Sequence, residues 1–295
     1  GFTGQASSQT AGIPFNVTIN IVDIFFNKTT ADQSEVRIET GDPYDTEPAT
    51  KPVLGGTTFF TVNMITESTW SVGAIDTDAY LATDSTSVYV LASSATKFLV
   101  ILPGETYTPG SASGKSGPVD FNAGLAGVQP ATASVTGTNP NFSVSVYLVD
   151  ANNNRVRTHP TLYTRIRSPV DPYDVEEGSG EPCAGACPSN GNPQILTQGL
   201  ATFVMALRTA ATGHTLTAEE EITSNQIQTA NSSTFTVVAN NPTRLVVVMP
   251  GQTPINGKGT PAGEEGRSNT TPTPQTAAAT PCFSTHVYVY VTDDY

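Results

Sequence analysis

Phe15-Asn16-Val17-Thr18-Ile19-Asn20-Ile21-Val22-Asp23 returns further along the chain as Phe142-Ser143-Val144-Ser145-Val146-Tyr147-Leu148-Val149-Asp150. It returns again as Thr285-His286-Val287-Tyr288-Val289-Tyr290-Val291-Thr292-Asp293. Phe15, Val17, Ile19 and Ile21 fall on one face of the first block, with Asn16, Thr18 and Asn20 on the other, the period of a half-buried β-strand. Phe142, Val144, Val146 and Leu148 repeat that face in the second. Self-similarity with blocks in a fixed order marks a tandem array, so the fold is read from the repeat.

Other blocks keep the order. Asp42-Pro43-Tyr44-Asp45 matches Asp171-Pro172-Tyr173-Asp174, and Gly56-Thr57-Thr58-Phe59-Phe60 matches Gly199-Leu200-Ala201-Thr202-Phe203. The run from Thr96-Lys97-Phe98-Leu99-Val100-Ile101-Leu102 to Pro103-Gly104-Glu105-Thr106 matches Thr243-Arg244-Leu245-Val246-Val247-Val248-Met249 to Pro250-Gly251-Gln252-Thr253. The distance between copies grows along the chain, as it does when loops lengthen on a constant scaffold, and the largest insertion lies at residues 175–195. Alternation continues through Val36 with Ile38, Phe60 with Val62 and Met64, Val72 with Ala74, and Val88 with Val90, between turns of Gly, Pro, Asp and Asn. No long helical period competes with it. The expected fold is all-β, two sheets packed face to face in each repeat.

Composition agrees. Of 295 residues only 13% are charged and 37% hydrophobic, and a length of this order suits about two domains. A formal net charge of −13 argues against nucleic acid, whose phosphates call for clustered Lys and Arg. No apolar run approaches the roughly 20 residues of a membrane-spanning helix. The chain opens at Gly1 without an initiator Met, as expected of a processed product or a piece of something longer.

The succession Leu-Val-Val-Val-x-Pro, a Gly/Thr-rich loop, Phe-x-Val-x-Val-x-x-Val-Asp, Gly-x-x-x-Phe and a closing Thr-Leu-Thr-Ala resembles the bacterial immunoglobulin-like repeats of invasin and intimin. The resemblance covers almost the whole chain. It implies tandem immunoglobulin-like β-sandwiches, with residues 97–102 and 244–249 as strand A and the Phe-x-Val-x-Val block as strand B. It also implies an extracellular or cell-surface location, a structural or adhesive role, and no catalytic residue.

On that alignment residues 1–94 form a domain lacking strand A, and residues 95–241 form a complete domain with a Cys-bearing insertion. Residues 242–295 supply strands A and B of a further unit with nothing to pack on. The front lacks what the tail carries. Burying about three large side chains of such a strand is worth about 5 to 9 kcal/mol, comparable with the roughly 5 to 15 kcal/mol of a whole domain. Leu245, Val246, Val247, Val248 and Met249 are thus the expected assembly strand, in one of two settings. Either this is a window on a longer covalent array, or copies of the chain join head to tail.

Residues with chemical potential are few. Gly110-Ser111-Ala112-Ser113-Gly114-Lys115-Ser116 resembles a phosphate loop but is one residue short and lacks a strand-to-helix unit, so a flexible connection is expected. His159, His214 and His286 are scattered, no nucleophile elbow exists, and no enzyme is expected. Trp70 aligns with His214 and is expected in a core or joint. No cofactor is expected, although the carboxylates at strand ends (Asp23, Asp42, Asp45, Asp76, Asp78, Asp150, Asp171, Asp174, Asp293 and Asp294) could gather calcium. The competing reading is that Asp and Asn make turns, as Asp150-Ala151-Asn152-Asn153-Asn154 would. Cys183 and Cys187 are spaced for a short disulfide loop, while Cys282 could compete for either. Sequons stand at Asn16, Asn27, Asn141, Asn231 and Asn269. The leading expectation is a filament or stalk of head-to-tail domains. The alternative is an adhesin for a host or carbohydrate ligand, which a local aromatic or acidic patch would favour; none stands out in the sequence.

Overall fold

The computed structural model describes residues 4–78, 80–121, 131–132, 142–172, 193–205, 207–221, 226–258, 266–268 and 287–292. Cys183, Cys187, Cys282, Asn141 and Asn269 lie outside them. The described residues contain strands and no helix.

The first copy comprises β1 (Gln9–Thr10), β2 (Phe15–Asn20), β3 (Gln33–Thr40), β4 (Lys51–Val53), β5 (Thr57–Val62), β6 (Ser68–Asp76) and β7 (Asp84–Leu91). They make a β2-β5 ladder and a five-stranded sheet in the order β1-β7-β6-β3-β4, with β1 parallel to β7. Phe60 and Val62 from the ladder meet Val36, Ile38, Val72, Val88 and Val90 from the larger sheet in one core. This is an immunoglobulin-like β-sandwich.

The second copy begins with β8 (Lys97–Ile101), β9 (Thr106–Tyr107), β10 (Lys115–Ser116) and β11 (Ala131–Thr132), then β12 (Phe142–Val149), β13 (Tyr163–Arg167) and β14 (Gln194–Ile195). It continues through β15 (Leu200–Met205), β16 (Ala211–His214), β17 (Thr217–Glu220), β18 (Ala230–Asn231) and β19 (Phe235–Val238). β12 pairs with β15 as β2 pairs with β5, and β11 runs parallel to β19 as β1 does to β7. The single strand β6 has two counterparts, β16 and β17, separated by Thr215 and the buried Leu216, whose N–H donates to Ser232 Oγ. Val144, Val146 and Leu148 are fully buried while Ser143 is exposed and Ser145 and Tyr147 are half-buried, the face that the alternation requires.

β8 makes the difference between the copies. It adds a third strand beside β12, giving the order β15-β12-β8, whereas β2 pairs with β5 alone among the described residues. Phe98, Val100 and Leu102 are buried, and so are Phe142, Val144 and Val146; the matching Phe15, Val17 and Ile19 are only half-buried. In the second copy β8 thus lies along the edge of β12, an edge that β2 leaves unpaired among the described residues.

The tail forms an antiparallel ladder of β20 (Arg244–Val248) and β21 (Tyr288–Thr292), with Val246 opposite Tyr290. The two strands pair with each other along their whole length. Two compact units result. One holds Gly1–Lys97, Tyr107–Ser116 and Leu148–His159; the other holds Phe98–Thr106, Gly117–Tyr147 and Pro160–Tyr295. Tyr107–Ser116 and Leu148–His159, which follow the sequence boundary at residue 95, belong to the first unit.

Candidate functional site: the seat at the end of each sandwich

The Asp-Pro-Tyr-Asp block supplies the base of the seat. Asp42 is buried, and its Oδ2 accepts hydrogen bonds from the N–H groups of Ile65 (2.6 Å) and Thr66 (2.8 Å), while Oδ1 accepts from the Thr66 hydroxyl (2.7 Å). Asp171 repeats the pattern: Oδ2 accepts from the N–H groups of Arg208 (2.5 Å) and Thr209 (3.0 Å), Oδ1 from the Thr209 hydroxyl (2.7 Å). A buried carboxylate that accepts two N–H groups and a hydroxyl from another loop ties the two loops together and satisfies its own charge. Trp70 Nε1 donates to the Thr66 carbonyl at 2.8 Å, and His214 Nε2 to the Thr209 carbonyl at 2.9 Å, so the aligned residues make the same bond. Burial holds the fully buried His214 imidazole below the usual histidine range. Beside Asp42, burial raises the carboxyls of Asp45 and Glu47, which accept from the Thr40 hydroxyl and the Thr40 N–H.

A glycine closes each seat. A Cβ added to Gly110 would overlap the Thr66 hydroxyl, and one added to Gly257 would overlap that of Thr209; φ is +77° at both. The spacing from Pro103-Gly104 to Gly110 equals that from Pro250-Gly251 to Gly257. The expected flexible connection at Gly110–Ser116 is instead a bonded hairpin of β9 and β10, in which the Thr108 N–H reaches the Gly114 carbonyl at 2.8 Å. Its counterpart bond runs from the Ile255 N–H to the Gly266 carbonyl at 2.9 Å.

The turn at residues 150–155 occupies the seat of the first unit. Asp150 Oδ1 accepts from the N–H groups of Asn152 and Asn154, and Oδ2 from Ser93, so the carboxylate shapes the turn. Asn154, fully buried, donates from Nδ2 to the Ile65 carbonyl and accepts the Glu67 N–H on Oδ1, both at 2.8 Å. Asn153 donates to the carbonyls of Ser111 and Ala112; its own carbonyl accepts from the Tyr107 hydroxyl. The Gly110 N–H reaches the Asn152 carbonyl at 3.1 Å, and Arg157 pairs with Glu67.

The turn at residues 23–28 has the same build. Asp23 Oδ1 accepts from the N–H groups of Phe25 and Asn27; the hydrogen bond from the Asn27 side chain, then these backbone donors, lower its pKa, and Phe26 and Asn153 share a positive φ (64° and 63°). Here nothing covers it among the described residues: Ile24, Phe25 and Phe26 are 86%, 75% and 62% exposed. This is a local apolar patch that sequence alternation did not reveal.

The sequence-derived candidates fall as follows. Among the described residues no group of three or more His, Cys, Asp or Glu is placed to hold a metal ion, and Asp23, Asp42, Asp76, Asp150 and Asp171 accept backbone N–H groups. Asn16 and Asn231 are exposed and accept from the hydroxyls of Thr61 and Thr217, while Asn27 donates to Asp23. Along the assembly strand Val246 and Val248 are buried, whereas Leu245 (67%), Val247 (43%) and Met249 are exposed. These three occupy the positions of the buried Phe98 and Val100 of β8 and of Leu102, just beyond it. The seat residues Asn154 and Gly110 were not singled out from sequence as contacts; the constant glycine spacing was the signal for Gly110.

No family model matches this sequence, and no curated protein matches it either. Among solved structures the chain is similar to the D0-D1 domains of intimin, at 8% identity and a TM-score of 0.25, covering 79% of this chain and 95% of that one. It is similar to invasin, described as a bacterial integrin-binding protein, at 11% identity and a TM-score of 0.28, covering 83% and 41%. It is also similar to β-glucuronidase 3 of Bacteroides uniformis, at 11% identity and a TM-score of 0.29, covering 78% and 23%. The chain spans 23% of that glucuronidase and 32% of a solved piece of the surface layer protein SbsC. The immunoglobulin-like assignment rests on the strand order and pairing described above.

Proposed function

We propose that the chain is a structural segment of an extracellular filament or cell-surface stalk built from immunoglobulin-like sandwiches joined head to tail. The observation that carries this reading is the recurrence of one seat, Asp42 with Thr66 and Gly110, then Asp171 with Thr209 and Gly257. A sandwich whose end is built as such a mount serves linear continuation, because a heterologous contact that does not close into a ring propagates. The most buried carboxylates and His214 are committed to backbone groups that hold the mount together, and the reading assigns them no catalytic step.

Immunogold labelling of intact source cells with antibody raised against this chain tests the reading. Label along surface fibres or stalks is the expected result, and label confined to the cell interior contradicts it. The intact mass of the labelled protein then separates a 30.8 kDa subunit from a longer covalent array. The exposed Ile24-Phe25-Phe26 tip favours a second reading, an adhesin. Binding to host cells or glycans that is lost on Phe25→Ser would establish it.

A further inference from the structure

Both ends of the chain present half of a contact that its middle shows complete. In the middle, β8 lies beside β12, and β12 runs straight into the turn at residues 150–155, which fills the Asp42–Thr66–Gly110 seat. At the tail, Leu245 and Val247 of β20 and the following Met249 face the surface, and the Asp171–Thr209–Gly257 seat is built in the same way. At the front, β2 has its strand-A edge unpaired among the described residues and leads, through Ile21 and Val22, into the exposed turn at residues 23–28.

We propose that a second copy of this chain docks by its front on the tail of the first, β2 lying along β20 and the turn at residues 23–28 entering the Asp171–Thr209–Gly257 seat. The proposal rests on the array reading and names its connector. The occupant is a second copy because the internal contact specifies it. The partner of a strand-A segment is a Phe-x-Val-x-Val strand B, and the occupant of the seat is the Asp-capped turn that follows that strand. β21, a third version of strand B, holds β20 within the chain, so docking exchanges one strand B for another on the same ladder edge. The apolar groups exposed at the two ends, Leu245, Val247 and Met249 at the tail and the half-buried Phe15, Val17 and Ile19 at the front, then cover one another. Ile24, Phe25 and Phe26 enter beside Thr209 and Gly257. One front meets one tail, so the series is open-ended and has no closed dimer.

Sedimentation velocity of the full chain, with two surface variants, tests this. Phe25→Asp blocks the front, and Leu245→Lys with Val247→Lys blocks the tail; the altered side chains are exposed, and the fluorescence of Trp70, the sole tryptophan, checks that the first unit is folded in each. The wild-type chain is expected to form dimers, trimers and longer species as its concentration rises to about 100 μM, and each variant to weaken association by about tenfold or more. The decisive arm mixes the two variants. Each retains one intact end, so the mixture should give a dimer and nothing larger. A wild-type chain that stays monomeric overturns the proposal, as does association unchanged in both variants or a mixture that continues to trimers. A monomeric chain whose native form is a long surface array would leave the array reading standing and remove only this connector.

Discussion

Some pairs of side chains in the two copies share a conformation but not an environment. Asn154 and Asn27 both brace an Asp-capped turn, yet Asn154 is buried and reads two backbone groups of the loop at residues 65–67, while Asn27 is exposed. Asn154→Ala leaves the Ile65 carbonyl and Glu67 N–H without that partner, which should cost about 2 to 3 kcal/mol. Asn27→Ala should cost well under that, and melting followed by Trp70 fluorescence compares the two. Gly110→Ala combines a positive φ with overlap on Thr66, and the same melt should fall by about 2 kcal/mol or more. His214 gives a pH signature. Burial depresses its folded pKa, so below about pH 6.5 the unfolded chain takes up a proton that the folded imidazole refuses. Its contribution is complete above that pH and is lost as pH falls towards the folded value. The melting transition of the second unit, followed by circular dichroism, should drop as pH falls below about 6.5, and His214→Phe should flatten that drop. Trp70 occupies the equivalent place in the first unit and has no such titration.

At element scale the consequence of strand A is visible in burial. Val144 on β12 is fully buried behind β8, and Val17 on β2 is half-buried without it. Val144→Ala should therefore cost about 2 kcal/mol, and Val17→Ala about half as much or less, measured by chemical unfolding of the two units. The period of two made these strands and their inward faces legible in the sequence, because each side chain position alternates between core and solvent. The docked hairpin and turn were not legible in that way. Gly110-Ser111-Ala112-Ser113-Gly114 has no apolar period, and its order comes from carbonyls that the distant Asn153 happens to face. A pattern in one segment cannot report a hydrogen bond supplied by another. The interruption of β6 into β16 and β17 escaped for a similar reason, since the Ser232 hydroxyl that takes the Leu216 N–H sits across the sheet.

Across the whole chain, the blocks of sequence repeat in one order, and β2 pairs with β5 alone among the described residues. What the blocks did not show is that Tyr107–Ser116 and Leu148–His159 belong to the first compact unit. A chain with a net charge of −13 repels its own copies, while the proposed head-to-tail contact is made of backbone bonds and apolar side chains. Raising salt from about 0.05 to 0.5 M should therefore strengthen association in sedimentation experiments; an ion-paired joint would weaken. The central claim is that the first sandwich ends in a seat that holds the following turn and glycine hairpin as part of one cooperative unit. Native-state hydrogen exchange on the full chain tests it most directly. The account predicts that the amides of Gly110, Gly114 and Asn154 exchange together with those of β6 and β7, at the opening free energy of the first unit. Exchange of those three amides at the rate of an open surface loop, while β6 and β7 stay protected, would contradict it.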